Sequence, residues 1–335
     1  MVDTVSLAGT GPPRLVRASS AALELVGRSA LICRVQELAR RVGALDGAVL
    51  LVAGPGADVE SLACDLHARS RPASAPFVAV DCGADGLDRT LFGEPAVQAP
   101  RDLESVAADS CVAAARGGTL FLQDVGELPA AVQARLARVA RDGEVRIDGE
   151  PVATGFRLMA SASPSIDADV QAHRFRGDLY RRLSASRIDL PPLRDRADDV
   201  PALATRLLED LSAAQAIAPR TFTHAALALL AALPWPGNVA ELRAAIARVV
   251  AGTGEETVQI EHVLPALQLD RAPAAFLPVG TLRDARRRFE RDYIAAVLQH
   301  HGWHMAAAAQ TLGIQRPNLY RKARQLGIPL GRNSE

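Results

Sequence analysis

VLLVAGPGADVE, residues 49–60, is the stretch of sequence that decides the fold. An apolar run rich in valine is followed by a turn with two glycines and then by a helix start, which is the layout of a phosphate-binding P-loop. A P-loop ends in Gly-Lys and then Ser or Thr, whereas Asp58 and Val59 stand at the Gly-Lys positions here. The only lysine of the chain, Lys322, lies far away near its C-terminus. The sequence therefore predicts a phosphate-binding scaffold that lacks its cation and carries a carboxylate where phosphate would lie.

Composition predicts a globular protein with two or three domains. The chain has 335 residues, of which 49% are hydrophobic, 23% charged and 4% aromatic, so its core must consist mainly of Ala, Leu and Val. The net charge is zero, but residues 281–335 carry ten basic and four acidic residues, which gives +6 there and leaves −6 for the rest. A basic end on an acidic body favours contact between that end and a polyanion.

The cysteines, the histidines and the hydropathy pattern exclude several classes of protein. Cys33, Cys64, Cys82 and Cys111 form no CxxC pair, and we expect buried, reduced thiols in a cytoplasmic protein. Three histidines cluster over residues 300–304 without a suitably spaced partner, so no metal site is predicted. No apolar run approaches the length of a membrane span, and we expect no membrane contact.

The pattern along the chain predicts an α/β domain followed by helical segments. Helical stretches alternate with four short apolar runs, which is typical of a parallel sheet covered by helices; the runs are 48–52, 77–80, 119–122 and 156–160. The predicted parts are a flexible lead (1–25) that is too short for a sensory domain, an α/β subdomain (26–195), a helical lid (196–267), a linker (268–280) and an all-α domain (281–335). Any signal is then expected to reach the central domain directly or through partners.

A series of short motifs resembles, in order, the AAA+ central domain of bacterial enhancer-binding proteins, which activate sigma-54 RNA polymerase. The motifs are VGRS at 26–29, PFVAVDC at 76–82, LFGE at 91–94, GGTLFL at 117–122, FRGDLYRRL at 175–183, LPPLRDR at 190–196 and WPGNV at 235–239. Residues 281–335 resemble the Fis-type helix-turn-helix domain of the same family. The resemblance covers about residues 26–328 and implies an AAA+ parallel-sheet nucleotidase-like domain with a small helical lid, then an all-α helix-turn-helix domain.

The resemblance also implies a nucleotide site, and this chain departs from it at the positions that carry the chemistry. Val59 stands where the family has the phosphate-binding lysine, and Ala240 stands where it has a nucleotide-sensing arginine. Gln123 replaces the magnesium-binding Asp, and Asp124 replaces the longer Glu that polarises the attacking water. Arg243, about one turn further along than Ala240, compensates at most in part. The remnants of the site are Gly56, Asp58, Asp124, Ser163, Arg176 and Arg182.

Two more positions bear on how the family works. Arg176 and Arg182 match the arginines that reach into the neighbouring subunit's nucleotide site. A structural role is the favoured interpretation, and action in trans on an intact partner is the alternative. Residues 94–102, EPAVQAPRD, replace the glycine-rich loop that contacts sigma-54, and two prolines stiffen the segment.

These losses predict a regulator without ATPase activity that acts as repressor, co-regulator or sigma-54-independent activator. Neither a metal nor a cofactor is predicted, while weak binding of ATP or another nucleotide stays open. Two alternatives are a divergent ATP-dependent sigma-54 activator that uses compensating arginines, and an inactive subunit that modulates oligomers of an intact family paralogue.

The C-terminal segment keeps the features that DNA binding requires. A short helix over 305–312, a turn at Gly313 and a helix from Pro317 to about Leu326 form the predicted helix-turn-helix, with Ile314, Leu319 and Ala323 toward the core. The resemblance makes the last helix the one that enters the major groove of double-stranded DNA. Its predicted DNA contacts are Arg316, Asn318, Tyr320, Arg321, Lys322 and Arg324. A long preceding helix over 284–300 is expected to dimerise, and the AAA+ part could add a higher oligomer.

Overall fold

A computed structural model of the chain describes residues 14–15, 22–71, 74–94, 102–267, 294, 297–298, 303–312 and 316–326. The chain divides into two compact units, residues 1–267 and 268–335, which are considered separately below. Within the described ranges, no helix is both long enough and apolar enough to cross a membrane.

The first unit contains eleven described strands and eleven described helices. The strands are β1 (Arg14–Leu15), β2 (Val49–Val52), β3 (Phe77–Asp81), β4 (Glu104–Val106), β5 (Thr119–Gln123), β6 (Glu144–Ile147), β7 (Glu150–Ala153), β8 (Arg157–Ala162), β9 (Ser186–Asp189), β10 (Thr221–Phe222) and β11 (Thr257–Val258). The helices are α1 (Ala30–Gly43), α2 (Val59–Ser70), α3 (Leu87–Phe92), α4 (Cys111–Ala114), α5 (Ala130–Asp142), α6 (Ile166–Gln171), α7 (Gly177–Leu183), α8 (Val200–Ala214), α9 (His224–Ala231), α10 (Asn238–Gly252) and α11 (Ile260–Ala266).

A six-stranded sheet in the order β1-β3-β5-β8-β2-β9 forms the centre of this unit. All neighbouring strands are parallel except β1, which pairs antiparallel with β3. The four predicted strands are confirmed as β2, β3, β5 and β8, whereas β1 and β9 were not predicted. The carboxyl ends of parallel strands share one edge, so the loops after β2, β5 and β8 meet there.

Helices cover both faces of the sheet, and each strand contributes alternate residues to two cores. Leu50 and Val52 of β2 pack with α3, α4, α5 and α7. Val49 and Leu51 of the same strand pack with α1 and α2 on the opposite face. Burial on both faces explains why the strands read as continuous apolar runs.

The predicted helical lid is confirmed as α8 to α11, with a short 3-10 segment over Leu193–Asp199 leading into it. Its core consists of leucine, valine, alanine and isoleucine side chains from the four helices together with Trp235, whose Nε1 donates to the carbonyl oxygen of Leu230 at 2.7 Å. The structure adds a two-residue parallel pair, β10 with β11, that the sequence did not indicate.

The end of the predicted flexible lead is folded into the first unit. Leu23–Leu25 forms a short 3-10 turn, and Ala22 and Leu23 are buried. Glu24 is only 1% exposed, because the first unit encloses its carboxylate. The boundary at residue 25 followed the small and polar composition of the segment, which does not reveal a buried ion pair.

The expectation of buried cysteines holds for three of four. Cys64, Cys82 and Cys111 are buried and free. Burial raises the pKa of the Cys64 thiol to about 12 and that of Cys111 to about 11, and it also raises the pKa of Cys82. The expectation is wrong for Cys33, which lies on the exposed side of α1.

The described part of the second unit contains α12 (Met305–Thr311) and α13 (Arg316–Gln325). Leu319 and Ala323 of α13 are buried against Ala308 and Ala309 of α12, as predicted. Ile314, Gly313 and most of the predicted helix over 284–300 lie outside the described residues; within that helix, residues 294, 297 and 298 are described as helical.

Candidate functional site

A cavity of about 320 Å³ lies where the loops after β2, β5 and β8 meet. Residues 53–57 form one wall, and Ser161, Ser163 and Ser165 lie on another. Its charged lining residues are Asp124, Glu127 and Asp169, and none of the described lining residues is Arg, Lys or His. The described lining therefore carries acidic but no basic side chains, and one of its acids, Asp169, pairs with Arg174 outside the lining.

Asp58 caps the helix that begins after the loop. Its Oδ1 accepts from the backbone N–H of Ser61 at 3.4 Å, and its own N–H donates to Oε1 of Glu24 at 2.7 Å. The N–H groups at the start of such a helix are the groups that hold phosphate in P-loops. In this chain two of them are bonded to carboxylates of the chain itself.

Val59 and Gln123 are uncharged side chains at the start of α2 and at the end of β5, on either side of Glu60. Val59 is the first residue of α2, half-buried, and packs against the core formed with α1. Gln123 ends β5, and its Nε2 donates to Oε2 of Glu60 at 3.1 Å. The amide of Gln123 is thereby engaged with a carboxylate of α2.

Asp124 follows β5 in the left-handed region, with φ of 54°, a conformation that Asp and Asn adopt more readily than most residues. Its N–H donates to Oγ of buried Ser161 at 3.0 Å. The residue as a whole is exposed, yet partial burial of its carboxyl group raises the pKa of Asp124, and the charges of Asp81 and Glu127 raise it further. Ionised Asp124 is thus repelled by its surroundings.

Asp124→Asn is expected to stabilise the protein at neutral pH. A raised carboxyl pKa means that the folded chain binds this proton more tightly than the unfolded chain, so stability falls as pH rises past the ordinary value of 3.8. Because the residue is exposed, we expect a gain of less than about 1 kcal/mol, measured by urea unfolding. The gain should disappear near and below the ordinary pKa. Asp85→Asn, at another exposed acid, is the control, and equal stability of both variants at neutral pH would contradict the prediction.

Gly56 and Ala240 lie where the loop meets the lid. The N–H of Ala240 donates to the carbonyl oxygen of Gly56 at 2.9 Å. Gly56 has φ of 75°, and a Cβ placed on it would lie 2.2 Å from the carbonyl oxygen of Gly237. Only glycine fits this close approach of loop and lid backbone.

Asn238 and Arg243 of α10 make further bonds to the loop region. Asn238 is buried with φ of 50°, donates from Nδ2 to the carbonyl oxygen of Pro55 at 2.8 Å, and accepts at Oδ1 from the N–H of Leu193 at 2.8 Å. Arg243 donates from Nη2 to Oδ2 of Asp58 at 2.9 Å. The sequence placed Arg243 near the site but did not identify Asp58 as its partner.

Of the predicted remnants Ser163, Arg176 and Arg182, only Ser163 lies in the described lining of the cavity. Ser163 lines the cavity and bonds Ser165 through the two hydroxyl groups at 2.6 Å. Arg176 is exposed and forms a bidentate pair with Asp178, which lowers the pKa of that carboxyl to about 2. Arg182 donates to the carbonyl oxygen of Ala140 at 3.2 Å, and both arginines are absent from the described cavity lining.

Sequence reasoning missed the buried pair of Glu24 and Arg196. Both side chains are 1% exposed, and Nη2 of Arg196 donates to Oε2 of Glu24. Nη1 of Arg196 also donates to the carbonyl oxygen of Glu24 at 3.0 Å. Arg196 belongs to the LPPLRDR motif, but only the fold shows that a residue 172 positions earlier is its partner.

The predicted DNA-binding residues lie together on α13. Arg316, Asn318, Arg321 and Arg324 are exposed, while Tyr320 and Lys322 are half-buried. The Arg316 guanidinium lies 5.8 Å from the centroid of the Tyr320 ring, and Arg321 donates to Oδ1 of Asn318 at 3.0 Å. Helical spacing thus separates the basic positions of α13 from buried Leu319 and Ala323.

Family profiles match the chain in three consecutive parts. The profile of the sigma-54 interaction domain matches residues 25–189, and that of the AAA+ ATPase lid domain matches residues 194–275. The profile described as bacterial regulatory protein, Fis family, matches residues 285–326. These three matches follow the division into α/β subdomain, lid and helix-turn-helix.

Similar proteins are transcriptional regulators that are longer than this chain. The hydrogenase transcriptional regulatory protein HoxA of Cupriavidus necator is 34% identical over 329 residues, which cover 94% of this chain and 66% of HoxA. The nitrogen assimilation regulatory protein NtrX of Azorhizobium caulinodans is 32% identical over 320 residues, which cover 91% of this chain and 69% of NtrX. The chain thus spans about two thirds of the length of these relatives.

A solved structure of a transcriptional regulator is also similar to this chain. NtrX from Brucella abortus, crystallised in complex with ATP, has a TM-score of 0.62 and 28% identity, with 94% of this chain and 71% of NtrX covered. The parallel sheet, the helical lid and the C-terminal helix-turn-helix agree with the family profiles. The chain therefore belongs to the family of sigma-54-dependent bacterial transcriptional regulators.

Proposed function

We propose that this chain is a DNA-binding transcriptional regulator that works without hydrolysing ATP. The observation that carries the proposal is the charge of the cleft, whose described lining has three carboxylates and no cation. A triphosphate placed there meets the carboxylates of Asp124 and Glu127, together with that of Asp169, which is itself paired with Arg174. Like charges at close range repel.

The remaining groups do not fit a triphosphate with magnesium. Val59 offers no charge, and the amide of Gln123 is a poor ligand for a hard cation and is already bonded to Glu60. Asp124 is left as one exposed carboxylate beside other acids. The fit therefore disfavours ATP chemistry at this site, although NtrX of Brucella abortus was crystallised with ATP.

The same reasoning supports a role that does not depend on sigma-54. Residues 94–102 lack the glycine-rich sequence that contacts sigma-54 in the family. We propose that the chain acts through DNA occupancy, as a repressor, a co-regulator or an activator of another polymerase form. Residues 95–101 lie outside the described residues, so this part of the proposal rests on sequence.

A second candidate function is an inactive subunit that joins oligomers of an intact paralogue. The exposed positions of Arg176 and Arg182, away from the described cleft lining, favour it. Co-purification with such a paralogue and loss of the paralogue's ATPase activity would distinguish it from a regulator that acts alone.

ATP turnover tests the main proposal. The purified chain, with Mg²⁺ and with or without DNA, is expected to release inorganic phosphate from ATP no faster than buffer does. Loss of several phosphate and metal contacts, at a few kcal/mol each, removes most transition-state stabilisation. Steady phosphate release that Asp124→Asn abolishes would contradict the proposal, and an ATPase-active relative such as an intact paralogue is the positive control.

Arg316→Ala is expected to weaken binding to duplexes that the chain selects from a random-sequence pool by about 10- to 100-fold, because an exposed arginine at the start of α13 is placed for a base or phosphate contact. Arg321→Ala should weaken binding to all duplexes alike and reduce the slope of log K against log salt by about 1. Fluorescence anisotropy measures both effects. Arg206→Ala, at a partly exposed ion pair on α8, is the control. If it weakens binding as much as Arg316→Ala does, α13 is not the DNA-binding helix.

A further inference from the structure

The loop over residues 54–58 carries its own anions in the places where P-loops hold phosphate. Oε1 of Glu24 accepts from the N–H of Asp58, and Oδ1 of Asp58 accepts from the N–H of Ser61. Helix N-termini attract negative charge because their first N–H groups are unpaired and because of the helix dipole. Two carboxylates of the chain satisfy that preference at the start of α2.

Each of these carboxylates is also bonded to an arginine of the lid side. Glu24 pairs with Arg196, which precedes α8, and the two side chains are buried. Asp58 pairs with Arg243 of α10, and its side chain is 18% exposed. Two separate carboxylate–arginine pairs therefore connect the loop region to the lid side.

Uncharged bonds fix the same interface. The N–H of Ala240 and Nδ2 of Asn238 donate to the carbonyl oxygens of Gly56 and Pro55, so the backbone of the loop is bonded directly to the start of α10. The contact of Gly56 with Gly237 leaves no room for a side chain between them. Lid and loop are thus packed together, with both charged pairs at their boundary.

We propose that Asp58 and Glu24 substitute for a bound phosphate and keep the lid closed on the loop in the absence of any nucleotide. This device goes beyond the absence of ATP hydrolysis, since an inactive ATPase could equally have a lid that opens and closes. It assigns to Asp58, which opposes triphosphate binding, a positive role as the internal anion that Arg243 binds.

Hydrogen exchange of the full chain, read by mass spectrometry over residues 54–62 and 238–243, tests the device. Asp58→Asn keeps a good N-cap residue but removes the charge opposite Arg243. Arg243→Gln removes the other partner. Each change is expected to raise exchange at both segments by about threefold to tenfold, because the lid then opens more often. The double variant should exchange no faster than either single variant, since both remove one interaction.

The outcomes separate this inference from the proposed function. Arg206→Gln, which breaks a partly exposed ion pair elsewhere on the lid, should leave exchange at both segments unchanged. Two results would overturn the proposal of a closed lid while leaving the proposal on ATP hydrolysis intact. One is exchange in the single variants that equals that of wild type, and the other is an increase in exchange that adds up in the double variant. Stronger protection of the wild-type loop from hydrogen exchange by millimolar ATP with Mg²⁺ would also overturn the proposal of a closed lid. Phosphate release from ATP bears on the proposed function alone.

Discussion

Asp58→Gly combined with Val59→Lys is expected to raise the affinity of the chain for ATP with Mg²⁺ by about 100-fold. The double change removes one negative charge and adds one positive charge at the start of α2. At an effective dielectric constant of about 20, two unit charges about 4 Å apart interact with about 4 kcal/mol before further screening. A gain of about 3 kcal/mol in the free energy of ATP binding is therefore a conservative expectation for the double change. Glycine also restores the close approach of backbone to phosphate.

Isothermal titration with ATP and Mg²⁺ measures this effect, and Asp58→Gly with Val59→Ala is the matched control. The control removes the carboxylate without supplying a cation, so its affinity should lie between those of wild type and the lysine variant. The change also releases Arg243 from Asp58, which makes that guanidinium available to an incoming phosphate. Equal affinity of wild type and the lysine variant would show that the charge of the loop does not limit nucleotide binding.

Arg157→Met is expected to destabilise the first unit by about 3 kcal/mol, which corresponds to a fall in Tm of about 6–12 °C for a unit of this size. Arg157 begins β8 and is 1% exposed. It donates to the carbonyl oxygens of Val42 at 2.8 Å, Gly47 at 3.0 Å and Leu66 at 3.4 Å, and to the hydroxyl of Ser70 at 2.8 Å. Methionine fills similar space but leaves buried acceptors without donors.

The location of Arg157 explains why the cost should be large. Its bonds join the end of α1, the loop before β2 and the end of α2, so one side chain fixes three segments against the sheet. Carbonyl groups near helix C-termini carry partial negative charge and stabilise the buried guanidinium, although burial still lowers its pKa. Arg41→Met, at an exposed pair with Glu37 on α1, is the control and should cost less than about 1 kcal/mol. Thermal unfolding that does not distinguish the two variants would contradict this account.

The central strands could be predicted because their signal is local. The apolar runs that became β2, β3, β5 and β8 are buried on both faces, and the P-loop spacing placed the turn and the start of α2 correctly. Asp124 and Ser163 were expected at strand ends and line the same cavity. Leu319 and Ala323 followed from helical spacing alone.

The interactions that define the present state of the cleft could not be predicted, because their partners are far apart in sequence. Glu24 meets Arg196 across 172 positions, and Asp58 meets Arg243 across 185 positions. Neither pair has a spacing rule, unlike residues on one helix face. Short strands such as β1 and β9 were missed for the same reason, since their pairing partners rather than their composition make them strands.

Cys33 is the one exposed thiol among the four cysteines, and a dye can be attached to it. Cys33 lies at the surface of α1, whereas the three other cysteines are enclosed and have raised pKa values that disfavour the reactive thiolate. A maleimide fluorophore should therefore couple to one position without prior cysteine replacement. The dye would then lie near the contact of Arg28 and Ser29 with Asp199 at the start of α8.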